Sequence, residues 1–264
     1  MPSQELPQDG CFWLLDSRQL ERIALGWQHR AGSGSFGVVY KGRLPDEYGG
    51  VYVAVKWLKK QNPDGVLSAD AQREIDISRI IRSRSAVPGY DNLVCLLGYC
   101  RQPQALLYEW LGGGTLESLL KDGERLSELT LRDRLMLFKG MASGLGVMHH
   151  GGDEEIRHKD IKPDNAMLDE DLRTAKLADY GVAKVQNTAT SPTTDMFVGN
   201  RLYQCPMVGH TLVRTTASDV YSMGVILLQL ILGEADAVIA KQTALDLREG
   251  RTSHVAADPH MPGD

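Results

Sequence analysis

The chain has 264 residues, of which 42% are hydrophobic and 24% charged, and a formal net charge of −5. That length can bury a sizeable core as one large domain or two unequal lobes. The acidic balance gives no support for a nucleic-acid or anionic-membrane partner. The opening "MPSQELPQDGCFWLLD" lacks a basic segment followed by an apolar run, so it does not read as a signal peptide. Cys11, Cys95, Cys100 and Cys205 lack metal-type pair spacing and read as reduced thiols of a cytoplasmic protein. The longest apolar run, "VILLQLILG" at 225–233, is too short to span a bilayer.

In chain order, residues 1–27 read as an N-terminal extension with a short helix. Residues 28–110 hold short β-type runs, "FGVVYKG", "VYVAVKWL", "LVCLLGY" and "QALLYEWL", interrupted by one helix at 70–82. Three glycines in "LGGGT", 111–115, break the pattern and mark a boundary. From there to residue 264 the chain reads as mainly helical. "TLRDRLMLFKGMASGLGVMHH" sets Leu131, Leu135, Phe138, Met141, Leu145 and Met148 at spacings of three and four, an amphipathic stripe. Thr130 with Asp133 resembles a capping box at its start. A second helix, about 218–232, is apolar nearly all round and is expected to be buried. The architecture is α+β: a sheet-rich N-terminal lobe, a hinge and a helical C-terminal lobe.

"AGSGSFGVVYKG" sets Gly32, Gly34 and Gly37 between two strand-like runs. Glycines let backbone approach phosphates closely, though a glycine-rich hairpin is equally a plain turn. A dinucleotide-binding reading needs a helix after the glycines, and "VVYKG" reads as a strand. Lys56 follows in "VYVAVKWL", where Val51, Val53 and Val55 take one phase and Lys56 the other. By itself it is a surface lysine; beneath a glycine-rich hairpin it could reach phosphates. Glu74, in "AQREIDISRIIR", reads alone as a solvated helix residue; paired with Lys56 it would fix the ammonium group. "IRHKDIKPDN", 156–165, concentrates His158, Lys159, Asp160, Lys162, Asp164 and Asn165. His149, His150, Asp153, Glu154 and His158 could imitate a metal cluster. The adjacent histidines at a helix end point in different directions, however. The simpler reading packs His158 in the core.

The series G-x-G-x-x-G-x-V (Gly32 to Val39), V-A-V-K (Val53 to Lys56), H-x-D-x-K-x-x-x-N (His158 to Asn165) and Asp179-Tyr180-Gly181 resembles the eukaryotic protein-kinase signature set. The likeness runs from about residue 17 to 233. It is strongest to plant receptor-like kinases and their soluble relatives, a Ser/Thr-specific branch of the tyrosine-kinase-like group. The resemblance implies a two-lobed kinase fold that uses ATP and Mg²⁺ on a protein substrate with a Ser/Thr acceptor. It implies that Asp160 orients and deprotonates the acceptor hydroxyl, that Lys162 neutralises the γ-phosphate, and that Asn165 and Asp179 hold Mg²⁺. Gly32, Ser33, Gly34, Ser35 and Gly37 would form the phosphate loop. Lys56, paired to Glu74, would anchor the α- and β-phosphates. Val39 and Ala54 above and Met167 below would enclose the adenine. Backbone groups of Glu109 and Leu111 would bond its edge, with Tyr108 in the gatekeeper position.

The sequence departs from that pattern in several places. Lys159 replaces the arginine that grips a phosphorylated activation segment, and a lysine offers only a point charge. Tyr180 replaces phenylalanine, Ser78 takes the place of an apolar residue, and Asn200 stands where a threonine is usual. Met207 replaces the glutamate of Ala-Pro-Glu, and the chain ends before the arginine that would pair with it and before the lobe's last helices. A pseudokinase or nucleotide-binding scaffold is therefore the competing reading. "QNTATSPTTDMF", 186–197, reads as a mobile, phosphorylatable part of the activation segment. Residues 237–247 are expected to form one more helix, with Ala237, Val238, Ile239, Ala244, Leu245 and Leu247 covering the 218–232 helix. That cover looks insufficient, so a partner or self-association over this lobe is expected.

Overall fold

The computed structural model describes residues 11–23, 30–33, 37–186, 201–211 and 214–249. They divide into two compact units: the chain up to Arg82 with Val94–Trp110, and Ser83–Leu93 with Leu111 onward.

The first unit contains β1 (Trp13–Leu15), α1 (Ser17–Ile23), β2 (Arg30–Ser33), β3 (Gly37–Arg43), β4 (Tyr52–Leu58), α2 (Ala69–Ser83, whose last residue falls in the second unit), β5 (Leu96–Arg101) and β6 (Gln104–Glu109). The strands form one sheet in the order β1-β5-β6-β4-β3-β2. All neighbours are antiparallel except β1, which lies parallel to β5. The period-two pattern of β4 sends Val53 and Val55 into a core with Leu15, Leu20, Ile23, Leu44, Cys100, Ala105 and Leu107. Ala54 and Lys56 take the opposite phase. Val51 lies outside the strand and is exposed. The N-terminal extension is thus part of the sheet unit, through β1 and the buried Leu20 and Ile23 of α1.

The second unit contains β7 (Gly114–Thr115), α3 (Leu116–Lys121), α4 (Gly123–Ser127), α5 (Leu131–His150), β8 (Glu155–Arg157), β9 (Ala166–Leu168), β10 (Ala175–Leu177), β11 (Lys184–Gln186), α6 (Pro206–Thr211), α7 (Thr216–Leu232) and α8 (Ala237–Arg248). Small sheets β10-β9-β7 and β11-β8 lie among the helices. Ser83–Leu93 joins this unit, unlike the continuous 28–110 segment expected from sequence. Buried Arg84 donates to the carbonyls of Val147 (2.8 Å), Met148 (2.9 Å) and Glu154 (2.5 Å), and Asn92 donates to Ala175 O at 3.0 Å. The bonds to Val147 and Met148 fall on end carbonyls of α5, of which Val147 O also accepts the Gly151 N–H.

The Thr130–Asp133 capping box is present, with reciprocal side-chain-to-backbone bonds of 3.2 and 3.1 Å. The stripe along α5 is shifted from the expected one, however. Leu131 and Leu135 are exposed, and the buried line runs through Arg134, Leu137, Met141, Leu145 and Met148. Arg134 fills the inward position of the first turn. Its guanidinium serves the carbonyls of Leu126 (2.9 Å), Leu129 (3.2 Å) and, more loosely, Leu230 (3.4 Å).

α7 is likewise not buried all round. Met223, Val225, Ile226 and Leu230 are buried, whereas Val220 and Ile231 face solvent. The helix over 237–247 forms as expected, but with a different covering face. Ala237, Ala240 and Thr243 are buried, while Val238, Ile239, Leu245 and Leu247 are exposed. Asp236 caps the helix by accepting the Val238 N–H at 2.7 Å. The phase that follows turns small side chains inward, which permits close helix approach. No single helix among the described residues is long and apolar enough to cross a membrane.

The Gly-rich boundary has a steric reason at one position. A Cβ on Gly113 would lie 2.0 Å from the backbone oxygen of Asp169, whereas one on Gly112 would meet only the Glu170 side chain, at 3.3 Å. Gly113→Ala is therefore expected to lower stability by about 2 kcal/mol or more, and Gly112→Ala by well under half of that. Urea denaturation midpoints of the two variants check this; equal shifts would refute it.

Candidate active site

The first unit builds a cationic anchor around one buried carboxylate. Lys56 on β4 stands opposite Val39 of β3 and Leu106 of β6. Its ammonium donates to both carboxylate oxygens of Glu74, at 3.0 and 2.9 Å. The pair is only 9% and 3% exposed, so Glu74 is not the solvated helix residue its lone position suggests. Tyr108, beside Ala54 in the sheet register, gives its hydroxyl proton to the same carboxylate. One carboxylate thus accepts from an ammonium and a phenol, which fixes the rotamers of all three side chains. Ser78 is buried one turn further on, and its hydroxyl bonds back to Glu74 O at 2.7 Å. This local bond satisfies the hydroxyl where an apolar side chain was expected.

Val39, Ala54 and Met167 are partly exposed, and Leu111 is buried at the boundary. At the end of β6, Glu109 exchanges bonds with Cys95: its N–H goes to Cys95 O at 3.1 Å, and its carboxylate accepts the Cys95 N–H at 2.8 Å. The expected phosphate-loop residues fare differently. A Cβ on Gly32 would meet no atom within 4 Å, whereas one on Gly37 would lie 2.5 Å from Trp57 O. Gly37 is therefore demanded by the β3–β4 pair itself, and the open space at Gly32 suits the approach of a ligand. Ser33 ends β2 and is exposed. Gly34 and Ser35 lie outside the described residues, as do Asn200 and residues 187–197 of the expected activation segment.

The second unit gathers the other group of polar side chains. Asp160 accepts from Lys162 Nζ at 2.7 Å and from the Asn165 amide at 2.9 Å, through the same oxygen. The Asn165 amide also donates to Asp160 O at 2.8 Å. These bonds turn the amide nitrogen of Asn165 toward Asp160 and leave its oxygen as the group free to meet a cation. A 3₁₀ turn over Pro163–Asn165 sets the spacing, closed by Asn165 N–H to Lys162 O at 3.0 Å. Asn165 O then accepts the Ala178 N–H at 2.9 Å, which brings Asp179 beside the loop in sequence and space. Asp179 has a left-handed backbone (φ 65°), starting a 3₁₀ turn over Tyr180–Val182. Tyr180 keeps its ring buried, edge-on to His158 at 6.0 Å, and sends its extra hydroxyl to Leu177 O at 2.8 Å. His158 is fully buried under this turn, as the sequence suggested. Its Nε2 bonds Ala178 O at 3.0 Å; because a carbonyl only accepts, Nε2 carries the proton.

One residue essential to this loop carried no individual sequence signal. Asp219, in the first turn of α7, accepts the N–H groups of His158 and Lys159 at 2.9 Å each. It also bonds His149 Nε2 at 3.0 Å. Arg214 donates to Lys159 O at 2.7 Å, so the backbone of Lys159 is held on both sides. That restraint maintains a φ of 71° at a non-glycine residue. A lone acidic residue opening an apolar helix is ordinarily read as a response to the helix dipole, which hides this role.

His149 is thus committed to Asp219 and buried, while neighbouring His150 is exposed. No three His, Cys, Asp or Glu side chains cluster as a metal site among the described residues. Asn165 and Asp179 nonetheless fit Mg²⁺, which takes only one or two protein oxygens when substrate phosphates supply others.

A protein-family model described as "Protein kinase domain" matches residues 27–255. Among similar curated proteins, the L-type lectin-domain containing receptor kinase SIT2 of Oryza sativa subsp. japonica is 35% identical over 83% of this chain and 30% of its own length. The L-type lectin-domain containing receptor kinase V.4 of Arabidopsis thaliana is 32% identical over 87% of this chain and 33% of its own length. The G-type lectin S-receptor-like serine/threonine-protein kinase LECRK1 of Oryza sativa subsp. japonica is 35% identical over 81% and 25%. The chain therefore spans about a quarter to a third of the length of these relatives.

Proposed function

This chain belongs to the protein kinase domain family, and on that premise we propose that it transfers the γ-phosphate of Mg-ATP to Ser/Thr hydroxyls of a protein substrate. The observation that carries this reading is the trio Asp160, Lys162 and Asn165, bonded through one carboxylate oxygen at 2.7 and 2.9 Å. The carboxylate of Asp160 receives the acceptor's hydroxyl proton as the oxygen attacks phosphorus. The bond from phosphorus to the β–γ bridging oxygen breaks, and ADP leaves. Lys162, already seated against Asp160, offsets charge on the transferred group. Lys56, oriented by Glu74 and Tyr108, holds the α- and β-phosphates. Gly32, Ser33 and Gly37 would border the phosphates. Val39, Ala54 and a backbone group of Glu109 are the first unit's candidates for binding adenine, and Met167 and a backbone group of Leu111 are the second unit's. Mg²⁺, held by Asn165 and Asp179, would neutralise phosphate charge.

Ser/Thr preference rests on the lysine two residues after Asp160 and on the similarity to kinases of that class. A reducing, cytoplasmic setting for the domain is part of this reading and rests on four cysteines scattered without pair spacing. Phosphoamino-acid analysis of a labelled generic protein substrate checks the preference. Label is expected on serine and threonine; label chiefly on tyrosine would overturn it.

A further inference from the structure

We propose that Cys11–Asp16 is a strap that fixes α2, and thereby seats Glu74 against Lys56, with Phe12 as its positioning residue. α2 is held near each end by side chains of the sheet unit. Near its start, fully buried Gln104 of β6 donates to Val66 O at 2.6 Å and accepts the Ser68 N–H at 3.3 Å. Toward its end, the Phe12 ring is 1% exposed. It lies under two guanidinium groups of α2, those of Arg79 at 5.8 Å and Arg82 at 5.2 Å from the ring centroid. Arg82 also donates to the carbonyl of Cys11. An aromatic face under two cations attracts both, and burial of the ring strengthens that attraction.

The other half of the strap is tied to the sheet that carries Lys56. Trp13, Leu14 and Leu15 register against Gly98, Tyr99 and Cys100 of β5. A Cβ on Gly98 would lie 2.7 Å from Trp13 O, so glycine there admits the strap. Leu15 enters the core with Val53 and Val55, the inward residues of β4 on either side of Ala54. One short segment thus grips the helix of Glu74 and the sheet of Lys56 together. Glu74 lies eight residues before Arg82, roughly 12 Å along a rigid helix, so loss of the distal grip is felt at the carboxylate.

The effect on rate rests on the phosphotransfer reading; the effect on α2 does not. The test is amide hydrogen exchange and initial-rate kinetics on the full chain. The variants are Phe12→Ala, Phe12→Trp and the double variant Arg79→Gln/Arg82→Gln. For Phe12→Ala, exchange over 74–82 should accelerate about tenfold while β3 and β4 keep their protection, and kcat should fall about tenfold with little change in the acceptor KM. Phe12→Trp should restore both, because indole binds cations at least as well. If Phe12→Ala does not fold, the arginine double variant, which leaves the ring in place, is expected to show the same pattern. Unchanged exchange in α2, or acceleration spread equally over the sheet, overturns the strap. A wild-type chain without transfer activity would count against the proposed function alone, and the exchange pattern would still decide the strap.

Discussion

Asp160→Asn is expected to lower phosphate transfer by about a thousandfold, within the range for loss of a general base. The fold should survive, because an amide can still accept one bond where Lys162 and Asn165 now donate at 2.7 and 2.9 Å. What disappears is the proton acceptor. Mg-ATP binding should persist, since Lys56 and Glu74 are untouched, and nucleotide should still raise Tm by mass action. Initial rates and thermal shift measured on the same preparation check both halves. A variant rate within tenfold of wild type would remove Asp160 from its assigned role.

Asp219→Ala should have the largest effect on stability. It strips the acceptor from a buried backbone N–H (His158), a part-buried one (Lys159) and the His149 ring, bonded at 2.9, 2.9 and 3.0 Å. Each orphaned buried donor costs about 1–3 kcal/mol, so a loss near 4 kcal/mol is expected. Lys159 would also lose the restraint that holds its φ at 71°. Asp219→Asn keeps one acceptor oxygen and should cost roughly half as much. Chemical denaturation compares the two. Shifts below about 1 kcal/mol for Asp219→Ala would show that the loop holds itself.

The pattern of motifs made the fold legible: strand periodicity placed Lys56 opposite the buried valines, and cap chemistry placed the start of α5. The candidate site was legible wherever a side chain carries a fixed spacing, as Asp160, Lys162 and Asn165 do. Residues that act through backbone groups were not. Asp219, Arg134 and Arg84 bond main-chain N–H or carbonyl groups, and no side-chain motif encodes such partners. The α5 stripe held over Met141, Leu145 and Met148 but failed in the first turns, where Arg134 took the inward position to serve nearby carbonyls. The faces of α7 and α8 were misjudged because hydrophobicity gives a helix's composition, whereas its buried face is set by what packs against it: Met223, Val225, Ile226 and Leu230 of α7, and the small Ala237, Ala240 and Thr243 of α8. Phe12 gave no warning either, since its partners Arg79 and Arg82 lie far along the chain.

The central claim is that these residues perform phosphoryl transfer rather than merely bind nucleotide. Its most direct test is the initial rate of radiolabel transfer from γ-labelled Mg-ATP to a generic Ser/Thr protein substrate. Wild type, Lys56→Met and wild type in excess EDTA are compared at equal protein concentration. Wild type should incorporate label linearly with time and enzyme, and the other two should fall to background. A wild-type rate no higher than that of Lys56→Met at saturating Mg-ATP would contradict the claim and leave a nucleotide-binding scaffold.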